Sequence, residues 1–209
     1  MVETPSERLQ AGLGALALKH TAHQHNQWLS YVELLAHWNR SINLTAVREP
    51  RDMVTRHILD SLSIAPHLSD APLLDVGTGA GLPGIPLAIN FPDRAFTLLD
   101  SNGKKTRFLF QVVRELQLSN VDIVQSRIED WRPTTRFESI TARAFADLNT
   151  LVNRVAHLTE QAGKIFAMTA TETREQLQIS ASGFVMHERI ALSVPGLNEQ
   201  RHLVVVHRC

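Results

Sequence analysis

The stretch LLDVGTGAGLPG, Leu73 to Gly84, decides how this 209-residue chain is read. Four glycines (Gly77, Gly79, Gly81, Gly84) fall in eight residues, directly after an apolar run. Such a loop lets backbone come close to a ligand or to its own neighbours. Two patterns fit it. Gly79-Ala-Gly81-Leu-Pro-Gly84 matches the dinucleotide fingerprint G-x-G-x-x-G, and Asp75-Val-Gly77-Thr-Gly79-Ala-Gly81 matches D-x-G-x-G-x-G one step earlier. No Lys-Ser or Lys-Thr follows the last glycine, which disfavours a P-loop. A plain tight turn without a ligand stays open on these residues alone.

Outward from the loop the chain alternates. PLLDV reads as a strand and PGIPLAINF as a helix opening on Pro83. AFTLLD (95–100), VDIVQS (121–126), FESITARA (137–144) and GKIFAMTA (163–170) read as further strands. Helices are expected at 102–118, from about Leu148 to Leu158, and near 172–180. FVMHERIALSV and RHLVVVHR form a terminal hairpin joined through PGLNEQ. This order predicts an α/β fold of βαβ units, with a mainly parallel seven-stranded sheet and an antiparallel edge strand. Before it, residues 1–70 read as a helical extension. Thr21 to Gln24 spells a capping box, and Trp28, Tyr31, Val32, Leu35 and Trp38 recur at helical spacing. A second helix starts near Pro50, with Met53, His57, Ile58, Leu62 and Ala65 inward. Residues 71–209 form the core, and the two parts are expected to make one compact unit.

Composition excludes several classes. Lys plus Arg (21) equals Asp plus Glu (21), so any nucleic-acid surface must be a local patch. The single cysteine, Cys209, excludes a disulfide framework and points to a reducing, cytoplasmic setting. MVETPSERLQ is too polar for a signal peptide. Leu73 to Phe91 is apolar, but Asp75, four glycines and two prolines make it a buried strand-loop-helix rather than a membrane span. His20, His23 and His25 lie close together, yet no Cys accompanies them and no H-E-x-x-H occurs, so no metal is expected. No extra apolar stripe appears, which suits a monomer.

Two more strand ends bear on the ligand. Asp100 stands 19 residues after Gly81, where a carboxylate can accept both hydroxyls of a ribose. In QSRIED, Ile128 can pack on an adenine face, and Glu129 or Asp130 can accept its exocyclic amine. Acid groups at Asp75, Asp100 and Glu129 suit a cationic ligand with an amino acid and an adenosine better than a pyrophosphate. That favours S-adenosylmethionine over NAD. Two rivals follow from the same residues: a nicotinamide-dependent oxidoreductase, resting on Gly79 to Gly84 alone, and a non-catalytic S-adenosylmethionine-binding module.

DVGTGAGLPGIPLAI, TLLDSNGKKTRFL, QSRIED and TARAF, with WNRSINLTAVRE, RHILDSL and RHLVVV, resemble the bacterial RsmG (GidB) methyltransferases over nearly the whole chain. The resemblance implies a Rossmann-like methyltransferase core and methyl transfer from S-adenosylmethionine to N7 of one guanine in 16S small-subunit ribosomal RNA. The RNA is expected naked or within the small subunit or its precursor. By position, the family's cofactor contacts fall on Gly77, Leu82, Ile128, Glu129 and Arg143; Gly79, Gly81 and Asp100 join them from the loop reading. Arg143, near the end of the fourth strand, is expected to orient cofactor or base. Two departures stand out: Ala80 where many relatives have Pro, and FAMTATETRE without the lysine that usually follows this strand.

Guanine N7 carries a free lone pair, so no general base is needed and alignment is the main demand. RNA contact is expected from Lys104, Lys105, Arg107 and Arg114, read as one basic helix face opposite Leu109 and Leu116. Arg40, Arg48, Arg51 and Arg56 form a second basic group, diluted by Glu49 and Asp52, and Asn39, Asn43 and His57 are expected to face the pocket, although for His57 a packing role is the commoner explanation.

Overall fold

The computed structural model describes residues 3–143, 147–170, 179–181 and 183–209. Four residue runs rich in Leu, Ile, Val and Phe pair as parallel strands: β1 (Leu73–Val76), β2 (Phe96–Asp100), β3 (Val121–Gln125) and β4 (Phe137–Arg143). β5 (Thr159–Thr169) adds to β4 in parallel, with an irregularity between Phe137 and Ser139. It starts four residues earlier than the sequence suggests. The expected hairpin is present as β6 (Phe184–Leu192) and β7 (Arg201–Arg208). β7 runs antiparallel to both β5 and β6, giving the order β3-β2-β1-β4-β5-β7-β6. The edge strand is therefore β6. Its ladder shifts register between Met186 and Glu188, and Val185 and Met186 are exposed.

Among the described residues seven α-helical segments follow the polar and apolar spacing. α1 (Pro5–Ala15) and α2 (Ala22–Ile42) both open on capping boxes, Thr4 with Glu7 and Thr21 with Gln24. α3 (Pro50–Met53), a π-helical turn (Val54–Leu59) and α4 (Asp60–Leu62) run on as one rod. α5 (Gly84–Asn90) follows β1, α6 (Gly103–Glu115) follows β2 under an Asn102 cap, and α7 (Leu148–Val155) starts under an Asp147 cap. The helix expected near 172–180 falls mostly on residues 171–178, outside the described residues.

β1 shows how the sheet divides the interior, because successive side chains point to opposite faces. Leu73 joins a cluster with Leu9, Trp28, Tyr31, Ile58, Leu87 and Phe108, whereas Leu74 and Val76 join Ile140, Leu151, Val155, Ile165 and Val204. The N-terminal helices thus share one core with the sheet. Trp28 and Tyr31 are fully buried, and burying a large apolar side chain contributes about 1.5–3 kcal/mol. Among the described residues no helix is long and apolar enough to cross a membrane.

Candidate active site

Parallel strands of an open sheet present their carboxyl ends to one side, and ligands gather where the strand order reverses. Here that point lies between β1 and β4. The glycine loop leaves β1 on one side of it, and Arg143 ends β4 on the other.

Asp75 shapes the loop. It is fully buried, and its Oδ2 accepts from the Thr78 hydroxyl (2.6 Å) and the Gly84 N–H (2.9 Å). Burial pushes its carboxyl up to about 7, against the pull of those two donors. This corrects the expectation that Asp75 offers its charge to the ligand: it folds the loop from beneath. Gly84 must lack a side chain, since a Cβ there would stand 2.2 Å from Leu98 Cδ2 and 2.7 Å from Asp75 Oδ2. Gly79 differs. Its φ of +63° suits glycine, and a Cβ there would make only ordinary contacts, with the Gly77 carbonyl and Lys105 Nζ at 3.8 Å, so backbone rather than space asks for glycine at this point. Gly77 is exposed at the loop's start, whereas Gly81 and Leu82 are buried. A Cβ on Gly81 would meet Ile85 Cγ1 at 2.5 Å and Leu109 Cδ2 at 2.9 Å, so packing against α5 and α6 demands glycine there.

Asp100, at the end of β2, is only 8% exposed. Its Oδ2 accepts from the Gly79 N–H (2.9 Å) and its Oδ1 from the Asn102 N–H (2.8 Å). A carboxylate has about four acceptor positions, so each oxygen keeps capacity for a ligand hydroxyl. Lys105 Nζ lies 4.0 Å from Asp100 Oδ2. That corrects the single basic face expected on α6. Lys105 turns toward the glycine loop on the side of Leu109, whereas Lys104, Arg107 and Arg114 are exposed. Arg107 Nε donates back to the Gly103 carbonyl (3.2 Å), and Arg114 Nη2 to Gln111 Oε1 (3.1 Å).

After β3, Ile128 packs partly against the second core cluster, and Glu129 pairs with Arg154 at 3.2 Å. Arg143 Nη1 lies 3.2 Å from Asp60 Oδ2. Arg56 is tied to Glu199 at 2.7 Å. Asn39 and His57 are buried, which corrects their placement as direct RNA contacts. Asn39 Nδ2 donates to the carbonyls of Thr45 and Val47, and its Oδ1 accepts from the Thr45 N–H (2.9 Å), so it folds the loop after α2. His57 Nε2 shares a 2.8 Å hydrogen bond with the Thr45 hydroxyl. Burial lowers its pKa to about 4, and the Arg143 charge adds to that shift. Asn43 caps α2 with φ 48°, and its Oδ1 accepts from Arg48 Nη2 (3.3 Å). His20 and His25 stack at 5.6 Å between ring centroids, and no metal-holding group of three or more His, Cys, Asp or Glu occurs among the described residues.

One pair of residues escaped sequence reading. Tyr31 donates its hydroxyl to the Ala80 carbonyl (2.7 Å) and Trp28 Nε1 to the Pro86 carbonyl (3.1 Å). Both latch α2 onto the glycine loop and the helix behind it. Their helical spacing reads only as a core face; the signal was that both are aromatics with a polar tip, which seek a partner when buried.

Strand order 3-2-1-4-5-7-6, a glycine loop after β1 and an acidic end to β2 define a Rossmann-like methyltransferase fold. The solved structure of the N-methyltransferase NodS from Bradyrhizobium japonicum, in complex with S-adenosyl-L-homocysteine, shares this fold: the TM-score is 0.53 at 13% identity, over 87% of this chain and 98% of that one. The GidB family, rRNA small subunit methyltransferase G, matches residues 24–204. A ribosomal RNA small subunit methyltransferase G from Pseudomonas paraeruginosa is 47% identical over 97% of this chain and 95% of its own length. One from Shewanella sp. (strain ANA-3) is 44% identical over 96% and 98%. The chain belongs to the rRNA small subunit methyltransferase G family.

Proposed function

We propose that this enzyme transfers a methyl group from S-adenosylmethionine to N7 of a specific guanine in 16S ribosomal RNA, acting as a cytoplasmic monomer on the RNA or on the small subunit that contains it. The arrangement that carries this reading is Asp100 beneath the Gly79 loop: its two oxygens, each fixed by one backbone N–H, retain acceptor capacity for the two hydroxyls of a ribose. Gly77, Gly79, Gly81 and Leu82 supply the loop's backbone, Ile128 and Glu129 flank the adenine, and Arg143 orients cofactor or base. The sulfonium of S-adenosylmethionine supplies an activated methyl. Guanine N7 attacks it with a lone pair that carries no proton, so the protein's task is alignment. Exposed Lys104, Arg107 and Arg114, with Arg56 and Asn43, contribute phosphate contacts, which position RNA without reading its sequence. Residues 1–70 and 71–209 act as one unit.

The test is transfer of labelled methyl to purified 16S RNA and to small subunits lacking the modification, followed by mapping of the product. A single 7-methylguanine supports the reading. Label on an exocyclic amine or a ribose hydroxyl, or none on either substrate, overturns it.

A further inference from the structure

Arg143 is gripped from one side. Its Nη1 donates to Asp60 Oδ2 (3.2 Å) and to the backbone carbonyl of Arg56 (3.1 Å). Both protons of that nitrogen are thereby used, and among the described residues none accepts from Nε or Nη2. Asp60 is 3% exposed, and its other oxygen lies 3.2 Å from Arg201 Nε. Arg201 Nη2 reaches Glu199 Oε2 at 2.8 Å. Glu199 returns to the Arg56 guanidinium through both oxygens, at 2.7 and 3.1 Å. The contacts close a ring of Arg143, Asp60, Arg201, Glu199 and Arg56, which comes back to Arg143 through the Arg56 carbonyl. The end of β4, the π-helical turn, the first residue of α4, the β6–β7 connection and the start of β7 each contribute a member.

A buried carboxylate is costly to the fold unless paired, and apolar residues of similar size join elements at least as well. What the carboxylate adds on the Arg143 side is direction, since Nη1 donates to Oδ2 in a directional charge-assisted bond, while the Arg201 charge lies against Oδ1 as an ion pair without hydrogen-bond geometry. The π-helical turn is a second sign. It widens the helix just where Arg56 offers its carbonyl and Asp60 its side chain, and such turns are frequent at functional sites. We propose that Asp60 is a positioning residue for methyl transfer: it aims the Arg143 guanidinium at the bound cofactor and acceptor, with Arg201 holding the carboxylate from behind. This rests on Arg143 belonging to the site.

A double-mutant cycle tests it, with Asp60→Asn and Arg143→Ala alone and combined. The readouts are the single-turnover rate at saturating S-adenosylmethionine and RNA, the cofactor Kd, and folding by circular dichroism. Arg143→Ala is expected to lower rate or affinity about ten- to hundredfold, the range for a lost charge-assisted hydrogen bond. Asp60→Asn is expected to lower the same quantity about tenfold in the native background and less than about twofold once Arg143 is Ala. Equal losses in both backgrounds make Asp60 a packing residue and overturn the proposal. Asp60→Glu, which keeps the charge but moves it by one methylene, is expected to fold and to show a loss that also depends on Arg143. If neither Asp60 variant folds while Arg143→Ala does, the proposal is likewise overturned. Native rate and affinity in Arg143→Ala alone would instead remove the role of Arg143 on which it rests.

Discussion

Asp75 and His57 titrate in opposite senses, and both are buried. The Asp75 carboxyl is raised from 3.8 to about 7, so its folded form holds a proton that the unfolded chain releases above pH 4. Stability from this group is present at low pH and is lost as pH rises from about 4 to 7. The His57 imidazole is lowered from 6.5 to about 4, so the unfolded chain takes up a proton that the fold refuses. Its contribution is present above pH 6.5 and is lost as pH falls toward 4. Each effect is on the order of 3 kcal/mol, at 1.36 kcal/mol per unit. In the native protein they offset one another. Urea unfolding at several pH values is expected to show His57→Gln losing stability, relative to the native protein, as pH rises from 4 to 6.5, and Asp75→Asn losing it as pH falls. Two parallel curves would show that neither group titrates as its burial requires. Asp100 is a different case, since the role proposed for it lies with the ligand. Asp100→Ala is expected to weaken S-adenosylmethionine about ten- to hundredfold by calorimetry. An unchanged Kd in a folded variant would reject the ribose contact.

At the scale of elements, α6 combines two jobs that a helical wheel merges. Lys105 lies beside Asp100 and the glycine loop, and Lys104, Arg107 and Arg114 belong to the surface. Lys104→Ala with Arg107→Ala is expected to weaken RNA binding and flatten its salt dependence, as fewer counterions are released, while cofactor affinity stays within about twofold. An unaltered salt slope would leave this face as solvated surface. The elements themselves were largely legible. The capping boxes, the inward face of α2 and the strand alternation follow from short-range spacing, which is local information. The π-helical turn was not, because Met53, His57, Ile58 and Leu62 satisfy ordinary helical spacing and one extra residue per turn leaves that pattern intact. The site was half legible. Asp100 and the glycine loop announce themselves by position in a strand-loop-helix. Asp60 lies about 140 residues from Glu199 and Arg201 in sequence and meets them only because β7 returns beside β5. Asn39 and His57 misled because a polar side chain looks the same in sequence whether it folds a loop or meets a ligand.

For the whole molecule, the shared core is the main fact. Leu9, Trp28, Tyr31 and Ile58 pack in one cluster with Leu73, Leu87 and Phe108, and Tyr31 bonds to the glycine loop itself. The helical extension and the sheet are therefore expected to unfold together. Far-ultraviolet circular dichroism and the fluorescence of a Trp131→Phe variant, which leaves Trp28 and Trp38 in α2 as the reporters, are expected to give coincident urea transitions. Two separated transitions would mean the extension is an independent unit. The open side of the sheet carries a consequence of another kind. An exposed last strand is a template on which a neighbouring copy can continue the ladder, the first step toward aggregation at cellular concentrations. β6 breaks that template at its middle, since the shift at His187 puts Phe184 to Met186 and Glu188 to Leu192 in different registers. A newcomer can zip along one half only, and beyond the break it meets the charged pair Glu188 and Arg189. The same irregularity that leaves Val185 and Met186 in water thus works against fibre growth from that edge.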